Sequence, residues 1–152
     1  MPFRLRLIIF LIILVWFLGI FIEFIIPYDN HFIFLLPFLH KSYSLVCHQQ
    51  PEKLISVGYK HTLVCARCTG IYSGALISSF LLLVLKLKKQ LNVKFLLIAS
   101  IPMFVDVILY STGIYTYSKT IAFSTGILLG SVGFLYIHEG ILNLIKEKKK
   151  QG

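Results

Sequence analysis

Acidic side chains are scarce in this chain: six Asp and Glu stand against fifteen Lys and Arg, and charged residues fill only 14% of its 152 positions. An ordinary soluble domain is about a quarter charged and about half apolar. Here the apolar share is 57% and the mean hydropathy +0.84. That balance excludes a water-soluble globule and leaves the lipid bilayer as the partner of the apolar surface. A net charge of +9 in a soluble protein would suggest a nucleic acid. In this chain the basic residues flank apolar runs, which is the signature of membrane topology, so no nucleic-acid partner is expected. Small-x-small cleavage chemistry is missing after the first apolar run, so that run is read as an uncleaved anchor and not a signal peptide. Cysteine is rarer still, with three residues, all between positions 47 and 68. Thr69, not histidine, follows Cys68, which excludes a c-type haem attachment site.

What is present reads as a single membrane domain over residues 1–152, all-α, with four transmembrane helices and one short interfacial helix. A bilayer core of about 30 Å needs about twenty apolar residues in helical form, and only helices or closed barrels satisfy their backbone in lipid. The spans are expected at about 7–26, 68–87, 95–113 and 120–145. Turn-forming residues 27–30 end the first. Residues 32–46 are aromatic and apolar but too short to cross. Pro37 interrupts them and His40-Lys41 lie in their middle, so they are expected at the membrane surface. Residues 47–67 then form a polar Cys/His loop.

Charge orients the bundle. With both termini cytoplasmic, Arg4, Arg6, Lys86, Lys88, Lys89, Lys94, Lys146, Lys148, Lys149 and Lys150 lie inside, while Lys41, Lys53, Lys60, Arg67 and Lys119 lie outside: ten against five. The positive-inside rule demands that direction. The expected location is the plasma membrane, with the Cys/His loop extracytoplasmic. Gly70, Gly74 and Ser78 recur every fourth residue, as do Gly126 and Gly130, a spacing that lets helix backbones approach closely in lipid. The second and fourth spans are therefore expected to touch, and an exposed glycine face would also permit a homo-oligomer.

Chemistry is concentrated in Cys47-His48 and in Cys65-Ala66-Arg67-Cys68. Three sulfurs and one imidazole make a Cys3His set, a common four-coordinate zinc environment. Cys65 and Cys68, three apart at a helix mouth, share one face. The leading expectation is a zinc-like or other thiophilic metal bound by Cys47, His48, Cys65 and Cys68. A thiol–disulfide oxidoreductase using Cys65 and Cys68 is the alternative, since a C-x-x-C at a helix amino terminus favours a thiolate. A structural disulfide in a non-enzymatic scaffold is the third. Asp106 lies inside the third span at a depth where Arg67 is the nearest partner, and an intramembrane carboxylate requires a partner or a wet cavity. Glu23 is expected among the headgroups, His138-Glu139 at a solvated helix end, and His31, His40 and His61 in loops or at the interface. The half of the bundle around His138 offers few other polar groups, which weighs against a through-pore.

The run C-H-Q-x-P-E followed by V-C-A-R-C-T-G-I-Y-S-G resembles a family of small prokaryotic membrane proteins catalogued as domain of unknown function 2085. The resemblance continues through I-P-M-F-V-D at residues 101–106 and T-G-I-L-L-G at 125–130. It implies the bundle architecture and a shared pocket of Arg67, Asp106 and Thr125, and it implies no reaction. This chain has Lys53-Leu54 where the family usually has Arg-Ser. Lys119 and Phe123 stand near where the family tends to carry an Asn and an Arg, so Asp106 must use another partner. The topology predicts that a membrane-impermeant thiol reagent modifies the cysteines of intact cells from outside, and that a reagent confined to the cytosol does not. The reverse pattern would overturn it.

Overall fold

The computed structural model describes residues 3–25, 34–85 and 92–151. The expected turn at 27–30, His31 and the Lys86, Lys88 and Lys89 group lie outside the described residues. The first apolar run forms α1 (Phe3–Ile20), and after a turn at Phe21 a short α2 (Ile22–Ile25) follows. The chain returns as α3 (Leu35–Ser44), ten residues long, too short to cross a bilayer. Three long helices complete it: α4 (Ala66–Val84), α5 (Val93–Ser111) and α6 (Lys119–Gln151). Among the described residues, four helices are thus long and apolar enough to span a membrane, with the apolar part of α6 ending at Leu144. The boundaries differ from expectation by a few residues, chiefly because α6 runs on through its polar lysine-rich end.

One departure from an all-helical chain lies in the segment read as a loop. After a 3-10 turn at Pro51–Lys53, β1 (Leu54–Val57) pairs antiparallel with β2 (Lys60–Cys65). Gly58 sits at φ +64° as the first residue of the two-residue connection, the pattern of a type II′ turn. The ladder is irregular between Leu54 and Ser56. There the Thr62 hydroxyl accepts from the Ile55 N–H (3.1 Å) and donates to the Val64 carbonyl (2.8 Å), replacing the missing backbone pairing. A four-residue strand carries too little periodicity to stand out among polar residues, which is why the hairpin is hard to read from sequence.

The bundle is built around α4 and α6. Lipid tails are as apolar as leucine, so helices associate through close packing and polar contacts. Gly70 of α4 meets Gly126 of α6, Gly74 packs on the backbone of Ile127 and Ser131, and Gly130 packs on that of Ile71. A methyl group added to Gly74 would meet the Ser131 nitrogen at 2.8 Å, and one on Gly130 the Ile71 Cα at 2.7 Å. The contact continues in hydrogen bonds from Ser78 Oγ to the Ser131 carbonyl (3.1 Å) and from Ser131 Oγ to the Gly74 carbonyl (3.3 Å). The expected pairing of the second and fourth spans is present. α1 packs on α4 and α5 on α6. The apolar outer faces, Phe104 and Ile108 on α5 among them, remain exposed for lipid.

Tyr43 fastens α3 to α1. Its hydroxyl donates to the Trp16 carbonyl (2.6 Å), and the two rings lie 4.6 Å apart. Burial, reinforced by neighbouring Tyr72, pushes Tyr43 up to about 12, so it remains a donor. Overpacking costs about 1–3 kcal/mol. Gly74→Ala and Gly130→Ala are therefore each expected to lower the thermal midpoint in micelles by that equivalent. Gly140→Ala, which adds its methyl where no neighbour lies within 4 Å, leaves the midpoint unchanged. Equal behaviour of all three would contradict the packing.

Candidate functional site

Cys65 closes β2 and also caps α4. Its backbone is extended (φ −64°, ψ 160°), and its carbonyl accepts from the Thr69 hydroxyl (3.1 Å). Cys68 follows one turn later on the same helix face. Cys47 arrives from the turn after α3, where its N–H donates to the Tyr43 carbonyl (3.0 Å). The three Sγ atoms all lie within 4.8 Å of one another, and all three cysteines are free. Cys47 is the buried member, 7% exposed, in an apolar cluster with Ile20, Tyr43, Leu63 and Val64.

The cluster is polarised toward Cys47. Its sulfur accepts from the Cys65 N–H at 3.2 Å. The Cys65 thiol foremost, and then that of Cys68, donates to it and holds Cys47 well below the usual thiol range. Donation to Cys47 pushes the Cys65 thiol up in turn.

His48 is exposed and lies outside this sulfur group. Cys47 is buried against the apolar cluster while the next residue, His48, faces solvent. Gln49 turns inward again, at φ 47°, an uncommon backbone for a non-glycine residue. Its Nε2 donates to the Leu63 carbonyl (2.7 Å) and lies 3.2 Å from that of His40. The Cys47 turn is thereby tied to the hairpin.

Glu23 does more than sit among headgroups. One carboxylate oxygen accepts the His61 N–H (2.9 Å) and the other meets His40 Nε2 (2.8 Å), joining α2, α3 and β2 behind the sulfurs. His61 Nδ1 is buried without a hydrogen-bond partner.

Beside the cysteines, Arg67 pairs with Asp106 through Nη2 and Oδ2, linking α4 to α5. Their side chains are 18% and 2% exposed. The Tyr115 hydroxyl donates to the other Asp106 oxygen. Arg67 is thus the partner that Asp106 uses. Lys53 lies 4.4 Å from the Tyr110 ring centre, and the Arg67 guanidinium 5.8 Å from that of Tyr117. The Tyr117 hydroxyl is buried without a partner; burial foremost, then proximity to Cys65, pushes it up to about 12. Lys53, Tyr115 and Tyr117 escaped the sequence reading. Their signal is the Tyr115-Thr116-Tyr117 alternation between two spans, which gains meaning only once α5 and α6 are packed. Thr125 hydrogen-bonds within its own helix, at 2.9 Å from the Ile121 carbonyl and 3.2 Å from that of Ala122. It adjoins Gly126, which packs on the Arg67 carbonyl.

Residues 47–136 match the family described as "Predicted membrane protein (DUF2085)". The chain belongs to that family. Two uncharacterised proteins resemble the chain in sequence over most of their own length. An uncharacterised protein of Methanocaldococcus jannaschii is 31% identical over 152 residues, covering 93% of this chain and 97% of that protein. An uncharacterised protein of Methanothermobacter thermautotrophicus is 30% identical over 104 residues, covering 68% of this chain and 93% of that protein. No solved structure matches the chain.

Removing one partner of a buried ion pair costs about 3–5 kcal/mol, whereas replacing both with apolar residues is often neutral. Asp106→Leu alone should therefore lower the thermal midpoint strongly, and Arg67→Met with Asp106→Leu should restore most of it. A double variant as unstable as the single one would show that the pair is not the unit that matters.

Proposed function

We propose that Cys47, Cys65 and Cys68 hold a thiophilic metal ion, zinc foremost, at the extracytoplasmic mouth of a single plasma-membrane domain whose termini both lie in the cytoplasm. The mutual closeness of the three sulfurs carries this reading. Thiolates about 2.3 Å from a tetrahedral zinc are about 3.8 Å from one another. Sulfurs already within 4.8 Å reach that arrangement by small side-chain adjustments. A metal prefers deprotonated sulfur, and Cys47 is already the acceptor of the cluster. The positive end of α4 favours negative charge on Cys65 and Cys68, and Arg67 stands between them in sequence.

Three protein ligands leave a fourth position for an incoming donor. His48 adjoins Cys47 and faces outward, so it serves as that donor by turning back, or leaves the position to a solute. The ion would order the hairpin, the α3 turn and the α4 mouth as one unit. Cys65 and Cys68, both free and close to each other, also support a second reading as a thiol–disulfide oxidoreductase that uses this pair.

Metal analysis of protein purified from membranes without chelator separates these readings. The metal reading predicts about one zinc-like ion per chain, the stoichiometry of a mononuclear site, and its loss in Cys68→Ala. Metal-free protein with a titratable, reversible disulfide would establish the redox reading. Protein with neither would leave the cysteines as a scaffold.

A further inference from the structure

The opposite end of the bundle carries a second polar site. Arg6 of α1 reaches across to α4, where Nη1 donates to the Leu82 carbonyl (3.0 Å). That carbonyl is in the last turn of α4 and has no partner within its own helix. The Nε of the same guanidinium is buried with no partner, and so is Nε2 of His138 on α6. His138, expected at a solvated helix end, is only 6% exposed, because α1 and α4 close over it. Arg6 and His138 line one cleft together with Ile9, Ser79, Leu82 and Phe134. The Ser79 hydroxyl hydrogen is already given to the Leu76 carbonyl (2.8 Å).

The cleft therefore holds one unpaired guanidinium N–H and one unpaired imidazole nitrogen, which donates in its Nε2–H tautomer, and no carboxylate among its lining residues. A buried N–H without an acceptor is costly, and no carboxylate lines the cleft beside Arg6 Nε, so an acceptor that brings negative charge suits the site. Its enclosed part has room for about one water-sized group, while the unfilled space around it totals about 190 Å³. One oxygen fits inside and the remainder of its molecule stays outside. Depth points the same way. Arg6 is one turn from the start of α1 at Phe3, and Leu82 two residues before the end of α4 at Val84. Helices of 18 and 19 residues match the hydrocarbon thickness, so their ends lie at headgroup level. The end of α6 beyond His138 carries Lys146, Lys148, Lys149 and Lys150, and basic pockets between helices on such a face bind anionic headgroups.

We propose that this cleft is a phosphate-oxyanion site formed by Arg6 Nε and His138 Nε2, and that an anionic phospholipid of the adjoining leaflet supplies the oxygen. The site is independent of the metal reading, and no residue is shared between them.

Native mass spectrometry of the full chain in non-ionic detergent tests it, with dioleoyl phosphatidylglycerol, dioleoyl phosphatidylcholine and inorganic phosphate as probes. Wild type should retain one phosphatidylglycerol in preference to phosphatidylcholine. Arg6→Lys, which keeps the charge and loses Nε, and His138→Leu should each lower retention about tenfold, the worth of one charge-assisted hydrogen bond. Arg4→Gln, an exposed cation at the same end, should leave it unchanged. Each variant is read only after its melting curve matches wild type, and either Arg6→Lys or His138→Leu suffices to decide. Displacement of the lipid by millimolar inorganic phosphate would keep the oxyanion site but overturn the lipid as its source. Equal retention by wild type, Arg6→Lys and His138→Leu would overturn the site itself, as would an equal loss in Arg4→Gln.

Discussion

Backbone contact between α4 and α6 is the constraint on which the rest of the molecule depends. In lipid there is no gain from hiding leucine from leucine, so two helices stay together only where their surfaces allow unusually close approach. Gly70, Gly74, Gly126 and Gly130 provide it, and Ser78 and Ser131 add hydrogen bonds across the seam. The seam begins at the Arg67 carbonyl over Gly126, in the first turn of α4. It therefore fixes the helix mouth at which Cys65 and Cys68 stand. The cysteines inherit their position from a packing contact made by residues with no side-chain chemistry of their own.

Two further contacts turn that mouth into a site. Arg67 and Asp106, with Tyr115, anchor α5 beside the first turn of α4. An intramembrane carboxylate is tolerable only with such partners. From the other side, Tyr43 holds α3 on α1 while Glu23 gathers His40 and the His61 N–H. These contacts seat the Cys47 turn against β2, and Cys47 meets the Cys65 N–H there. Elements distant in sequence thus deliver three sulfurs to one point. The far end of the bundle is organised differently: Arg6 Nε and His138 Nε2 are buried at one cleft without a hydrogen-bond partner. One end offers three sulfurs and the other a guanidinium and an imidazole.

Much of this was legible in the residues. Hydropathy exposes the four spans because lipid leaves no alternative use for such runs, and fourfold small-residue spacing announces the α4–α6 seam. Helical depth alone brings Arg67 to the level of Asp106. The C-x-x-C motif at a helix mouth leads to the convergence of Cys65 and Cys68. Other features depend on information that local pattern does not hold. Val57-Gly58-Tyr59-Lys60 carries a hairpin turn signal, but its strands are too short to stand apart from a loop. His48 looks equivalent to Cys47 in sequence, yet only Cys47 is buried and His48 lies at the surface. His138 reads as a solvated histidine because nothing near it in sequence reveals that Arg6, more than a hundred positions away, packs over the same cleft. Tyr115 and Tyr117 gain their significance only from Asp106 and Arg67 in three dimensions.

Local structure around the proposed metal tests the convergence of the sulfurs most directly. X-ray absorption at the zinc edge, on protein purified from membranes, should show about three sulfur neighbours at about 2.3 Å and one lighter or vacant position. A shell made only of nitrogen and oxygen would contradict the account, because it would place the metal somewhere other than between Cys47, Cys65 and Cys68.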